Sequence, residues 1–552
     1  MNPTKLPYGL SDFRRVNRDD YYYIDKTNFI KKIENDADFL FFLRPRRFGK
    51  SLTISMLEYY YDIYYKDEFE NTFNHTYALN NPTPLKSSFC VLRFDFSAVD
   101  TTDYESSFRS NINTTLEYFL SKYTLDLEID FASNPIDNLR KVFMLCKQKS
   151  LPLYILIDEY DNFVTKLLIS DMNAYKNIVT SQNAIYKEFF TMLKVGTSGA
   201  VKKIFMTGVS PLALYDVTSG NNISKNISLK ESFNDMVGIT KDELKQMIEF
   251  YGLDDKKEHI IARCDEWYDS YRFHKDIEHT IYNSDMILYY FDALIREDSE
   301  PDDLIDINVR TDYSKLKFLV YTDQKLNGNF KMLNQLILGE QVTTNKIKES
   351  FSAFELSNRD NFKSFIYSLG FVSMEKNLFL INLKIPNQTL KKLLSEFIHY
   401  AYRDFKDYTM GVEQLNVLLS QLAISKDLSV FHYIAEAIKS STSIRDYIEG
   451  ENFVKAYLLA YLNLNTFYEL KSEVESNKGY IDILLNPIKE EVPYGVIIEL
   501  KYIKRGEFSD RLLQEQITQA KKQLNQYDMG ERYIKIVLVF KGWEMVFCEE
   551  MK

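Results

Sequence analysis

One run limits the architecture more than any other: Arg44-Pro45-Arg46-Arg47-Phe48-Gly49-Lys50-Ser51. It follows the apolar stretch DFLFFL (38–43) and leads into the amphipathic stretch SLTISMLEYYYDIYY. A strand, a short loop closing on Gly-Lys-Ser and a helix form the context a phosphate-binding P-loop needs. Loop amides and the helix N-terminus cradle phosphates. Lys50 then reaches the β- and γ-phosphates, and the Ser51 hydroxyl ligates Mg²⁺. The expected nucleotide contacts in the loop are Arg47, Phe48, Gly49, Lys50, Ser51 and Leu52. Arg44 stands where the usual pattern has its first glycine, and an arginine enters positive φ less freely. Arg44, Arg46 and Arg47 either line the phosphate mouth, since Arg suits phosphate geometry, or form a solvated loop or a partner contact.

The first ~220 residues alternate apolar runs with amphipathic stretches, the pattern of a parallel α/β sheet. CVLRFDFS (90–97), LYILID (153–158) and KIFMTG (203–208) are the further strands. LYILID delivers Asp158 to the magnesium shell and Glu159 to polarise an attacking water. The strand at 203–208 ends near Thr207, a hydroxyl placed to read the γ-phosphate or to open a turn before Gly208. From ~230 the pattern turns helical. Thr240, followed three residues on by Glu243, signs a capping box. Residues ~315–385 read as short helices and then FVSMEKNLFLINL, two apolar runs about a Glu-Lys-Asn turn. That order suggests a β-hairpin within a winged-helix-like unit. More helix follows over ~388–440, and the last ~110 residues return to strand-rich α/β. The expected division is 1–225, 226–315, 316–440 and 441–552, since 552 residues exceed what one core serves.

A second charged constellation lies near the C-terminus. Gly479-Tyr480-Ile481-Asp482-Ile483-Leu484-Leu485 precedes Gly495-Val496-Ile497-Ile498-Glu499-Leu500-Lys501, with Asn486-Pro487 starting the turn between. Each acid interrupts an apolar strand, and the two strands are expected as neighbours. Strand side chains alternate, so Glu499 and Lys501 share a face. With Asp482 on that side, two hard oxygen ligands suit Mg²⁺ or Mn²⁺, and Lys501 orients a water against a phosphodiester. An ordinary surface sheet with cross-strand ion pairs is the bland alternative. Glu451, which opens ENFVKAYLLAYL, either joins the site or is a helix N-terminal acid. Gln523, in QEQITQAKKQLNQY, either contacts a metal-bound water or the phosphate backbone, or is plainly solvated. Lys521 and Lys522 beside it supply local basic charge.

Bulk properties bound the rest. A net charge of −11 gives no whole-chain grip on nucleic acid, so such contact must be local. Cys90, Cys146, Cys264 and Cys548 form no CxxC pair, which points to reduced thiols rather than zinc or disulfides. MNPTKLPYGLSDF has no apolar signal core, and no run of ~18 apolar residues occurs. A cytoplasmic protein with no membrane partner is expected.

The chain resembles a bacterial and archaeal family with an AAA-ATPase-like N-terminal domain and a C-terminal domain of the PD-(D/E)XK nuclease superfamily. The marks are Leu6-Pro7-Tyr8-Gly9, Tyr23-Ile24-Asp25-Lys26-Thr27, the arginine-rich run through Leu52, Trp267 to Phe273, Ile281-Tyr282-Asn283, Ile385-Pro386-Asn387, Gly479 to Asp482 and Glu499-Leu500-Lys501. The family itself carries arginine at the position of Arg44. Relatives often have Gly-Arg-x-Asp where this chain has Tyr480, so one phosphate contact is lost. The resemblance implies an ATPase joined to a metal-dependent nuclease acting on DNA, with ATP and Mg²⁺ as cofactors. The alternative is an ATP-driven switch whose nuclease-like domain binds DNA or protein without cleaving. A homo-oligomer, a protein partner and an RNA substrate stay open.

Overall fold

Strands buried on both faces of a parallel sheet read as unbroken apolar runs, and the N-terminal runs fold that way. A computed structural model describes residues 5–181, 184–212, 223–310, 329–356, 358–377, 379–403, 412–440, 450–465, 467–476, 479–488 and 491–551. The described residues fall into two compact units. One holds 5–310 and 343–383, the other 329–342 and 384–551.

In the first unit, β1 (Phe39–Leu43), β2 (Cys90–Asp95), β3 (Leu153–Asp158), β4 (Val201–Gly208) and β5 (Lys225–Asn226) form one sheet in the order β2-β3-β4-β1-β5. Its registered pairs are all parallel. All six residues of β3 are buried. Helix α1 (Lys50–Tyr61) packs on β2, β3 and β4. Because β4 separates β1 from β3, the loop after β1 and the acids after β3 share one sheet edge. Ligands of open α/β sheets bind at the carboxyl ends of strands.

The expected capping box forms in both directions between Thr240 and Glu243. It opens α2 (Lys241–Phe250), just after β6 (Ile239–Thr240). β6 pairs antiparallel with β7 (Ile281–Tyr282), and α3 (Ser284–Glu297) starts immediately after β7. Further on, β8 (Val342–Thr344), β9 (Ser373–Asn377) and β10 (Leu380–Lys384) form a three-stranded sheet in the order β8-β10-β9. β9 and β10 are neighbours, as the expected hairpin requires. The expected turn, however, does not fall on Glu375-Lys376-Asn377, which belong to β9. Ion pairs keep those polar residues on a strand: Glu375 lies 3.8 Å from Arg272, and Lys376 lies 3.2 Å from Asp276.

The second unit carries α4 (Glu451–Leu462) and a five-stranded sheet. Its strands are β11 (Tyr468–Ser476), β12 (Gly479–Pro487), β13 (Gly495–Ile503), β14 (Tyr533–Lys541) and β15 (Glu544–Glu550), in sequence order. Only β13 and β14 run parallel. The crossover that parallel strands require is α5 (Asp510–Leu524). Ile517, Ala520 and Leu524 of α5 pack on Ile497, Ile503, Val537 and Val539. Of the turn expected after Asn486-Pro487, Lys489 and Glu490 lie outside the described residues. Among the described residues no helix is long and apolar enough to cross a membrane. The four cysteines are all free thiols.

Candidate functional site

The loop after β1 turns through positive φ at Arg47 (69°) and Gly49 (97°). Gly49 is needed for that conformation rather than for space, since a Cβ there would meet nothing within 4 Å. Lys50 begins α1 and is buried. Its ammonium donates to the carbonyls of Arg44 (3.0 Å) and Pro45 (2.9 Å), within the loop itself. Burial pulls its pKa down to about 8, although Glu159, Asp158 and Asp161 all favour its charge. The acids at the end of β3 and just beyond it therefore sit within electrostatic reach of Lys50. Ser51 and Leu52 follow on the first turn of α1, both half-buried.

Asp158 is buried at the end of β3, and the Thr207 hydroxyl donates to its Oδ1 (2.7 Å). Thr207 is fully buried on β4 and pairs in register with Phe42. It is thus fixed between the P-loop strand and the acidic strand. Glu159 has positive φ (50°), and its carboxylate accepts from the Asn162 amide. Two nearby residues escaped the sequence reading. Arg93 of β2 pairs with Glu58 of α1 (3.0 Å) and approaches Asp158 (3.9 Å). Asp161 accepts from the backbone amides of Val209 (3.1 Å) and Ser210 (2.6 Å), and fixes how the chain leaves β4. Gly208 has no room for a side chain: a Cβ would lie 2.4 Å from the Tyr160 ring and 2.5 Å from Asp161.

Arg44 lines no phosphate mouth and joins no solvated loop. Its side chain turns inward and is 1% exposed. The guanidinium donates to the carbonyls of Leu43 (3.0 Å), Ser228 (2.6 Å) and Phe233 (3.0 Å). It also stacks on the rings of Phe42 (4.3 Å) and Phe273 (3.9 Å). Its backbone is not among the positive-φ positions, so the glycine usual there is not required. The Phe48 ring is likewise buried, edge-on to Tyr271 and Phe273. The Phe48 carbonyl accepts from the Gly238 amide (3.1 Å) and the Ser284 hydroxyl (3.2 Å). Arg47 lies 3.9 Å from Asp285. Tyr271, Phe273, Gly238, Ser284 and Asp285 thus hold the loop in place.

At the second site the antiparallel ladder between β12 and β13 runs from Leu485↔Val496 to Ile483↔Ile498. Beyond it come Asp482 and Glu499. The Asp482 Oδ2 accepts the Leu500 amide (2.9 Å), closing the strand end with a side chain. Glu499 is 1% exposed, and Lys501 donates to its Oε1 (2.7 Å). Its Oε2 is buried without a hydrogen-bond partner. Burial, then the Asp482 charge, push the Glu499 carboxyl up to about 7 against the pull of Lys501. Glu451 opens α4, where partial desolvation and the Asp482 charge also raise its pKa. Gln523 lies on α5 with a buried Oε1 that also lacks a partner. Lys521 is engaged with Glu549 (3.2 Å), which removes part of the expected basic charge.

Two more residues of this site were missed. Lys455 of α4 is buried, and its ammonium donates to Glu473 and to Asp482 Oδ1 (3.2 Å). Burial opposes its charge, but the two carboxylates outweigh it and raise its pKa. A signal existed: ENFVKAYLLAYL is nearly all apolar after its first residues, so its one lysine has no polar face to occupy. The donor set fits a hard divalent cation, with two carboxylates and one uncommitted buried oxygen. Among the described residues no group of three or more His, Cys, Asp or Glu gathers closely enough to hold a metal ion. Water would have to complete the shell, as Mg²⁺ prefers.

Two family models match this chain. Residues 7–218 match the family model of the predicted AAA-ATPases, and residues 449–550 that of the PD-(D/E)XK nuclease superfamily. The chain carries an AAA-ATPase-like domain and a PD-(D/E)XK nuclease superfamily domain. An uncharacterized protein in the vnfD 5′ region of Azotobacter chroococcum mcd 1 is 25% identical over 285 residues, 50% of this chain. The chain spans about half of that relative's length (49%). Among solved structures, the Aeropyrum pernix ORC2 protein in its ADPNP-ADP complexes aligns at 10% identity and a TM-score of 0.32, over 68% of this chain and 91% of that one. Cdc6p from Pyrobaculum aerophilum aligns at 9% and 0.27, over 68% and 92%. Superpositions this loose fix no shared activity.

Proposed function

We propose that the AAA-ATPase-like domain binds and hydrolyses ATP, and that the nuclease-superfamily domain hydrolyses phosphodiester bonds of DNA with Mg²⁺ or Mn²⁺, in the cytoplasm. In this reading Lys50 leaves the Arg44 and Pro45 carbonyls for the β- and γ-phosphates of ATP. Ser51 and Asp158 hold the nucleotide's magnesium, Glu159 orients the attacking water, and Thr207 keeps Asp158 in place. Asp482 and Glu499 hold the nuclease metal, while Lys501 orients the water. Gln523 and Glu451 stand by as auxiliaries. A bound divalent ion would supply charge for the developing phosphate oxyanion and a more acidic water.

The observation that carries the nuclease reading is Glu499: a buried carboxylate on β13 with one oxygen on Lys501 and the other without a partner. An uncompensated buried carboxylate oxygen is costly unless a cation meets it. The test is purified full chain with Mg²⁺ or Mn²⁺ and ATP on single- and double-stranded DNA and on RNA. Asp482→Ala and Lys501→Ala should each lower cleavage ~100-fold or more. Wild type that cuts nothing, or variants that cut equally well, would defeat the reading.

The grip of Lys455 on Asp482 favours a second reading, an ATP-driven switch that binds nucleic acid or protein without cutting. Its signature is binding that survives Asp482→Ala, with no cleavage by wild type.

A further inference from the structure

We infer that Lys455 is the resident counter-cation of the carboxylate site, and that a divalent metal enters by exchange with it, Lys455 withdrawing from Asp482 onto Glu473. The inference deepens the proposed metal site and rests on it.

Lys455 lies one helical turn beyond Glu451, on the same face of α4. Its side chain is 5% exposed and touches two carboxylates. A buried ammonium persists only when paired. The two oxygens of Asp482 are held differently. Oδ2 is fixed by the Leu500 amide of the sheet, whereas Oδ1 has, among the described residues, only Lys455. Oδ1 is therefore the oxygen that can change partners without breaking backbone structure.

Glu473 supplies the place for Lys455 to go. The ladder between β11 and β12 steps from Ser472↔Ile483 to Val474↔Ile481 and skips both Glu473 and Asp482. Register is kept across the step, so Glu473 lies opposite Asp482, and it has φ +52°, a conformation unfavourable for any residue with a Cβ. Its carboxylate accepts from the Lys455 ammonium. The Glu473 side chain is 55% exposed, so a Lys455–Glu473 pair survives at the rim once Asp482 is taken. Among the described residues, the Glu451 carboxyl feels the charges of Asp482 and Glu473 against those of Lys501 and Lys455, and Glu499 those of Asp482 and Glu451 against Lys501. A dication that takes Asp482 Oδ1 must displace the Lys455 ammonium from it.

The experiment uses the full chain without nucleotide and Mn²⁺ alone as probe. Electron paramagnetic resonance of the free ion reads binding, and Asp482→Ala serves as the blank for sites elsewhere. Lys455→Met should tighten the Asp482-dependent Mn²⁺ Kd about tenfold or more, because a like charge leaves the site. Glu473→Gln should weaken it several-fold, because Lys455 is then left with Asp482 alone. A merely structural role for the pair would move both variants the same way. Mn²⁺ taken up by Lys455→Met but not by wild type also supports the exchange. Unchanged or weaker binding by Lys455→Met, with wild type binding, overturns the exchange and leaves the metal site standing. No Asp482-dependent Mn²⁺ in either protein overturns both. Circular dichroism checks folding. Should Lys455→Met misfold, Glu473→Gln decides alone: its half-exposed side chain can change without disturbing the core, and unchanged affinity there overturns the inference.

Discussion

At the scale of single residues, Arg44 replaces a flexible glycine by an anchored cation. Its three carbonyl partners and two aromatic faces leave it no role at the phosphates. Its own carbonyl, though, holds Lys50. Restoring the common motif with Arg44→Gly should therefore harm the protein. Losing charged hydrogen bonds and stranding buried carbonyls should cost about 3 kcal/mol, read by equilibrium denaturation. ATP affinity should fall with it, and an equally stable variant with unchanged affinity would contradict this account. Glu499 allows a pH prediction. Its folded pKa of about 7 lies above the group's ordinary 4.5, so the folded state holds the proton longer than the unfolded one. The fold is then fully stable at this group below about pH 4.5, loses stability as pH rises toward 7, and stays flat above. Glu499→Gln cannot ionise. Its stability relative to wild type should rise between pH 5 and pH 8, by at most about 3 kcal/mol in metal-free buffer. A difference that does not change with pH would show that Glu499 ionises normally.

At the scale of elements, the end of α3 nearest the P-loop does two things at once. The Asn283 side chain accepts from the amides of Asp285 (3.1 Å) and Met286 (3.3 Å), capping the helix, and its amide reaches the Arg46 carbonyl (3.4 Å). Asn358 makes the same kind of cap at the helix Arg359–Ser368, accepting from Asp360 (2.9 Å) and Asn361 (3.4 Å), but among the described residues it has no hydrogen bond to the loop. Either asparagine changed to alanine should cost about 1 kcal/mol of stability. Only Asn283→Ala should also weaken ATP binding, by several-fold in a titration. Equal affinities would mean that α3 supports the loop passively. The contrast also shows what was legible. β3 and β13 could be read because an apolar run broken by one acid has few other places to fold, and Thr240–Glu243 because a capping box is local. The turn after β9 was misplaced because the partners of Glu375 and Lys376 lie about a hundred positions earlier, at Arg272 and Asp276. Arg93 and Glu473 were invisible for the same reason. Their roles depend on Asp158, Glu58 and Lys455, which sequence spacing does not connect to them.

At the scale of the whole molecule, charge sets the problem. A chain of net −11 repels a polyanion at long range, and Lys521 of α5 is already engaged with Glu549. On the proposed reading, encounter with DNA is therefore weak by default, and the Lys455–Asp482 contact adds a second restraint. Control by ATP is the natural complement, and linkage makes it testable without a nuclease assay. If ATP at Lys50 strengthens metal binding at Asp482 by some factor, metal at Asp482 must strengthen ATP binding by that same factor. Couplings of this kind span roughly 5- to 150-fold. ATP affinity should then be measured in saturating Mn²⁺ for Glu159→Gln, chosen to slow hydrolysis, and for the same protein carrying Asp482→Ala. The double variant should bind ATP at least ~5-fold more weakly. The reciprocal arm, Mn²⁺ affinity at Asp482 with and without Lys50→Ala under ATP, must return the same ratio. Identical ATP affinities would mean that the two domains share a chain but no equilibrium, and ATP would then have to act on something other than the carboxylate site.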